Sequence, residues 1–548
     1  MQKRSISLWL ILFANFSLSM FNPTVHAATR LGLHVTQEEL YCWRQRAGIE
    51  SQGSNGVTCP IKYVSTSDVS TNSPGDWDHI VANKESFRAD TTIGCWSGPT
   101  NCADSPTWDT GSCISNAEMD GSGFPGLFNA GYADEVRDAA FFAMVNSGHA
   151  TASDAAGKVR TFLLNHANTA KLNFANKSLF CEGDVTGDGN PRFELTSWLT
   201  KLLYAYEYLQ IYGNITGGDA TALDPWFLNA GYYFRAMTFG ASPFTSSNYE
   251  NIYPNHESEY ATTVALGDKY TSALGSGFNS CPQPGTQLSL YDGGPLISDS
   301  FEVCSNRGMH LNNLMMQVGV KYSDTELIRH SKEWIQSCMI YYIWGNGDDN
   351  EMKRVYDNGL DDEDHGHQYL GFKLGSIVDG LDALARSGDF SMYTYSTSDG
   401  VCQINATNDG GPKTIELWLD TYAKYIDHTL ARYAPGASHI ALNQIDTRYH
   451  AGAGEECGRH WEAWSLPRAN HYYAKSYWKN MYLRQNGGGP IAPPAYPSTA
   501  ATCGGQGYLW GGSWSTLPGS LFMFGDTEHL NIFEGVSEAP SVLLRLIR

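Results

Sequence analysis

The feature that most constrains this chain is a succession of apolar patterns at helical spacing, each about as long as the last and joined by short Gly, Asn and Asp connections. They run over Ala133–Asn146, Ala152–His166, Phe193–Tyr212, Pro225–Met237, Glu257–Leu274, Met309–Val320, Thr325–Trp344, Gln368–Ala385, Thr414–Tyr433 and Arg468–Leu483. A segment with apolar residues at i, i+3, i+4 and i+7 buries one stripe, so serial helices of this kind need one another's faces. Paired antiparallel helices in a ring or stack satisfy that need. No long alternating strand series appears before the last sixty or so residues, and no fixed repeat period marks a regular solenoid. The expected class is therefore all-α dominated, an incomplete (α/α) toroid.

The ends have a different character. Met1-Gln2-Lys3-Arg4 is basic, Ser5 to Phe21 is largely apolar, and Val25-His26-Ala27 supplies small residues before Ala28, which together read as a secretory signal over 1–27. From Cys42 to about Gly126 the text is rich in Ser, Thr, Gly, Pro, Asp and Cys, and reads as disulfide-pinned loops. Residues 28–126 are thus expected to pack as a Cys-rich loop region on a helical body spanning 127–485. Beyond Asn486, Gly- and Pro-rich text reads as a closing segment, irregular or β, over 486–548.

Composition narrows the partners. A net charge of -21 disfavours nucleic acid and anionic membranes, because phosphate binding relies on clustered Lys and Arg. No run after the signal reaches the roughly 18 apolar residues of a membrane span. Twelve cysteines without a CxxC pair fit an oxidising, extracellular or periplasmic destination better than structural zinc. Aromatic residues make up 13% of the chain, enough for a sugar-stacking cleft, although core filling accounts for such content equally well. Gly-rich phosphate loops, Gly-x-Ser-x-Gly elbows and HExxH helices are absent. Asp184 to Asn190 looks like a calcium loop only faintly and reads better as a turn.

Three segments carry chemistry. Asp361-Asp362-Glu363-Asp364-His365-Gly366-His367-Gln368-Tyr369 gathers carboxylates, imidazoles and a phenol at a helix mouth, as proton transfer requires. A metal site and a solvated capping loop are the other readings. Asn306-Arg307-Gly308-Met309-His310 opens another helix, where free N–H groups favour a substrate carboxylate, or where Asn306 is simply a cap. Tyr449, then Arg459-His460-Trp461-Glu462, then Asn470-His471-Tyr472 add the parts of an anionic-sugar site.

Read together, these segments resemble the alginate lyase family of polysaccharide lyases. Asn306-Arg307-Gly308 matches an Asn-Arg-Gly-type segment, Glu363 to His367 an Arg-Asp-Gln-Gly-His helix start, and Arg459 to Glu462 with Asn470-His471-Tyr472 an Arg-Pro-x-Trp-Glu…Asn-His-Tyr segment. Leu31 to Leu40 and Phe193 to Leu203 are similar to family text as well. Glu363 departs from the family Arg, and Ser465 to Ala469 are extra. The resemblance implies β-elimination on a 4-linked polyuronate, alginate or glucuronan, with no organic cofactor; a structural metal stays open. In that chemistry Asn306, assisted by Arg307 or Arg459, neutralises the carboxylate. His367, with His310 or His365 next, takes the C5 proton. Tyr449, with Tyr369 and Tyr472 behind it, protonates the leaving oxygen, while Trp461, Lys201 and His471 bind sugar. The expected protein is a monomer acting on an acidic polysaccharide. Two rival expectations are a glycoside hydrolase using Asp362 and Asp364, and a non-catalytic carbohydrate-binding protein.

Overall fold

The computed structural model describes residues 29–57, 76–90, 130–169, 172–175, 190–237, 306–341, 363–398, 412–426 and 465–473, with single positions at 343, 345, 347, 349, 475, 478, 518 and 523. The signal and almost all of 486–548 lie outside the described residues, as do Glu257–Leu274, Tyr449, Arg459 and Trp461. What is described is dominated by helix. In chain order the helices are α1 (Gln37–Arg46), α2 (Asp76–Ala89), α3 (Ala130–Val145), α4 (Ala152–Ala167), α5 (Asn190–Tyr212), α6 (Gly217–Met237), α7 (Asn306–Tyr322), α8 (Thr325–Tyr341), α9 (Glu363–Arg386), α10 (Ile415–Ile426) and α11 (Ser465–Tyr473). A two-stranded antiparallel pair, β1 (Ser396–Thr397) with β2 (Lys413–Thr414), precedes α10.

Burial sorts the helices into two layers. Every residue is buried from Leu195 to Leu209 in α5, from Gly308 to Val320 in α7 and from Leu370 to Ala385 in α9. A helix buried all round belongs to the interior. In α4 and α8, by contrast, burial recurs at helical spacing: Ala152, Ala155, Ala156, Val159, Phe162, Leu163 and His166, then Leu327, His330, Ser331, Trp334, Ile335 and Cys338. These helices cover the interior ones. Contacts follow the same division, because α3 packs on α5, α5 on α7, α7 on α9 and α9 on α11, while α4 packs on α6 and α6 on α8. Inner and outer helices therefore alternate along the chain.

The inner helices run in one direction. Asp134 of α3 meets Lys201 of α5, and Phe141 further along α3 meets Tyr208 further along α5. Glu207 of α5 in turn pairs with Lys321 near the end of α7. Between α9 and α11, Asp379 pairs with Arg468, while Phe390 beyond the end of α9 stacks on Tyr472. Arg30 interacts with Glu207 and also with Asp382 and Arg386 near the end of α9, which puts the ends of α5, α7 and α9 together, so each inner helix starts at the same end of the array.

Local chemistry sets the boundaries. Thr36 and Glu39 form a reciprocal capping box on α1, with the Thr36 N–H donating to Glu39 Oε2 at 2.9 Å and the Glu39 N–H to Thr36 Oγ1 at 3.2 Å. The same device starts α6 eight residues before the expected Pro225, because Thr216 and Asp219 cap each other across the first turn. Pro225 then lies inside the helix. Asp324 accepts from the Glu326 and Leu327 N–H groups and starts α8 two residues after α7 ends. The expectation of loops from Cys42 to Gly126 is corrected at α2, whose Trp77, Ile80, Lys84 and Phe87 are buried along one face. Polar residues between them had masked that stripe. Cys42 and Cys338 are both fully buried. Among the described residues, no helix is long and apolar enough to cross a membrane.

Candidate active site

Buried charge gathers where the first half of α3 meets the middle of α5, close to the first turns of α7. Arg137 of α3 holds Asp134 through Nη1 at 2.7 Å and Asp138 through Nη2 at 2.8 Å, all three almost without exposure. Asn83 of α2 donates to the other Asp138 oxygen at 2.7 Å. Asp134 also faces Lys201 of α5, whose Nζ lies 3.0 Å from its Oδ1. Two carboxylates and two cations thus share one apolar surrounding, where an unpaired charge would be very costly. Burial raises the Asp134 carboxyl to about 6 against the pull of Lys201 and Arg137, and lowers the Lys201 ammonium to about 8.

His310 of α7 belongs to the same neighbourhood. Its ring is buried, and burial, then the Lys201 charge, lowers it to about 3, so it is a neutral imidazole at ordinary pH. Asn306, the first residue of α7, is also buried, one turn earlier on the helix. Arg307 lies between them in α7, with its side chain outside the described ones. His365, His367 and Tyr369 fall in the first two turns of α9, again with side chains outside the described ones. Helices α7 and α9 make the most extensive contact of the array.

The remaining expected site residues are distributed differently. Lys201 was expected to touch sugar, but it has no exposed surface and its ammonium is engaged by Asp134. His471 and Tyr472 sit at the last turn of α11, toward the opposite end of the inner helices. Burial lowers His471 to about 4, and the charges around it are Glu39, Arg386, Asp382 and Arg46 rather than those of the Lys201 cluster. Tyr472 stacks on Tyr393 with ring centres 4.4 Å apart and planes at 13°, and on Phe390 at 5.9 Å and 24°. Tyr449, Arg459 and Trp461 lie outside the described residues. Among the described residues, no group of His, Cys, Asp and Glu side chains is arranged to hold a metal ion.

No family model, curated protein or solved structure matches this chain.

A second buried network lies further along the inner helices, and the sequence had singled out little of it. His34, in the segment ahead of α1, places Nδ1 2.7 Å from Asp382 Oδ2 of α9. Its Nε2 lies 3.1 Å from the Tyr204 hydroxyl of α5 and 3.1 Å from Gln317 Oε1 of α7. Arg386 donates from Nε to Asp382 at 2.8 Å and clamps Glu39 of α1 through both terminal nitrogens at 2.6 and 2.8 Å. Asp379, one turn earlier on α9, pairs with Arg468 of α11. The visible clue was that Asp379 and Asp382 interrupt an otherwise apolar face of α9. A carboxylate inside such a stripe needs a buried partner.

Proposed function

We propose that this chain is a secreted polysaccharide lyase that cleaves a 4-linked polyuronate, alginate or glucuronan, by β-elimination in the groove of an incomplete (α/α) toroid. The observation that carries the reading is the common direction of α5, α7 and α9. The helix starts that bear the Asn306-Arg307-Gly308 and Asp364-His365-Gly366-His367 segments belong to adjacent inner helices of one array. Parallel helix starts present unpaired N–H groups and positive dipole ends, which favour a carboxylate and the negative charge that grows on it during elimination.

In the reaction, Asn306 with Arg307 or Arg459 holds the uronate carboxylate, and His367 takes the C5 proton, His310 or His365 being the next choices. The C5 electron pair forms the C4–C5 double bond as the C4–O bond breaks, and Tyr449 gives a proton to the departing oxygen. Water does not enter the products. Lys201 contributes at a distance as the buried cation of the cluster beside His310. Export and disulfide pinning of the 28–126 region belong to the same proposal, because soluble acidic polysaccharides occur outside the cell membrane.

The test is a screen of alginate, glucuronan and related uronans for near-ultraviolet absorbance of the unsaturated uronyl end. Chain shortening without that absorbance replaces the lyase by a hydrolase. Binding without shortening replaces both by a carbohydrate-binding protein.

A further inference from the structure

The segment 29–46 is held by polar groups inside the array. Leu33 and Val35 contribute apolar burial on either side of His34. His34 itself, 1% exposed, reaches three inner helices at once: Tyr204 on α5, Gln317 on α7 and Asp382 on α9. Its Nδ1–H donates to Asp382, and its Nε2 accepts from the Tyr204 hydroxyl. The Gln317 amide donates to Asn313 Oδ1 at 3.1 Å and to the Asp379 carbonyl at 2.9 Å, tying α7 to α9 directly; its oxygen lies beside Nε2 as a packing neighbour, with no hydrogen between the two acceptors. The Leu33 N–H donates to Glu207 Oε2 at 2.7 Å, and the other Glu207 oxygen pairs with Lys321 of α7 at 3.2 Å. Arg386 then closes the circuit by bridging Asp382 to Glu39, the residue that also caps α1.

Removing this segment would take from Glu207 the Leu33 N–H and from Asp382 the His34 N–H, both in the buried interior. The second Asp382 oxygen, Oδ1, already has no hydrogen-bond partner. Buried polar groups in that condition do not hold a fixed arrangement of helices; they draw in water or re-pair. The segment therefore supplies directional bonds, which set how far α5, α7 and α9 sit along one another, in addition to apolar area, which sets no such distance.

We infer that residues 29–46 form a polar key whose His34 is a positioning residue, fixing the mutual register of α7 and α9 and hence of the Asn306–His310 and His365–His367 turns at their starts. The consequence for turnover rests on the uronan-lyase reading; the consequence for helix register does not.

Hydrogen exchange on the full chain with His34→Ala separates the two. The expected result is at least a tenfold faster exchange in residues 31–40, in α7 and in α9. Imidazole in the buffer, refilling the vacated space, restores the slow exchange, whereas thiophene, a ring of similar size without N–H groups, does not. If α7 and α9 exchange as in the unaltered protein, if imidazole restores nothing, or if thiophene restores as much, the key is overturned. Should His34→Ala fail to fold, Glu39→Gln takes its place, because it keeps the side-chain shape while weakening the Arg386 clamp. Faster exchange in α1 and the second half of α9 is then expected, and unchanged exchange overturns the inference. With a uronan that is cleaved, His34→Ala lowers kcat far more than it raises KM, and imidazole recovers kcat. Absence of cleavage of every uronan by the unaltered protein sinks the lyase reading and leaves the exchange comparison to decide the key.

Discussion

At the residue scale, burial separates chemistry from support. Lys201 has the composition of a carboxylate-binding residue, yet its ammonium is enclosed and paired with Asp134. Replacing it by Met keeps much of the volume and leaves Asp134 to Arg137 alone. We expect a loss of about 3 kcal/mol in unfolding free energy, the low end for removing one side of a buried pair, because Arg137 still serves the carboxylate. Urea unfolding checks this; an unchanged midpoint would mean that Lys201 is a surface contact after all. His367 is the residue to which the proposed reaction gives the C5 proton. His367→Ala is expected to keep the far-ultraviolet helical signal and reduce uronan elimination by about 100-fold or more, as removal of a general base does. Near-normal elimination in that variant would take His367 out of the mechanism and move the role to His310 or His365.

At the element scale, close approach between helices decides what small residues do. Gly231 of α6 lies where an added methyl would meet Val318 of α7 at 2.9 Å and Leu327 of α8 at 3.0 Å. Gly380 of α9 would place its methyl 3.2 Å from the flexible Met316 side chain of α7. Gly231→Ala should therefore destabilise by about 1–3 kcal/mol through overpacking, despite the higher helix propensity of Ala. Gly380→Ala should be nearly neutral, since Met can change rotamer. Thermal unfolding of the two variants side by side tests the contrast, and equal midpoints would contradict this account of α6 packing. The elements themselves were largely legible in the sequence. Patterns at Ala152–His166 and Phe193–Tyr212 match α4 and the body of α5 to within a few residues, because long amphipathic or apolar stretches carry strong periodic signals. Boundaries were less legible: α6 begins at a Thr216–Asp219 cap that Pro225 obscured, and α2 was hidden by a polar context.

At the scale of the whole molecule, buried imidazoles make stability depend on acid. His34 and His471 are each lowered to about 4 and His310 to about 3, in every case first by burial. The unfolded chain takes up protons on these groups near their ordinary value of 6.5, whereas the folded chain does not until well below it. Between those limits the unfolded state binds more protons, so stability falls as pH drops from about 6.5 toward 4 and is flat with respect to these groups above it. Unfolding midpoints at pH 7.5, 6.5, 5.5 and 4.5, with Phe or Gln replacing His310, would expose the effect. A pH response that the replacement leaves unaltered would remove His310 from the account.

The sequence by itself determined that this chain forms serial helices, where most of them run, and which short segments hold histidines, asparagine and arginine at helix starts. Periodicity and capping act within one or two turns, so they are written in neighbouring residues. Tertiary structure alone decided which helices are buried all round, that they run in the same direction, and that His34 meets Asp382 across 348 positions of sequence. An apolar stripe records that a face must be covered but not by what. A buried charge or imidazole shows its role only when its distant partner arrives, because the desolvation it suffers and the bonds that offset it both come from elsewhere in the chain.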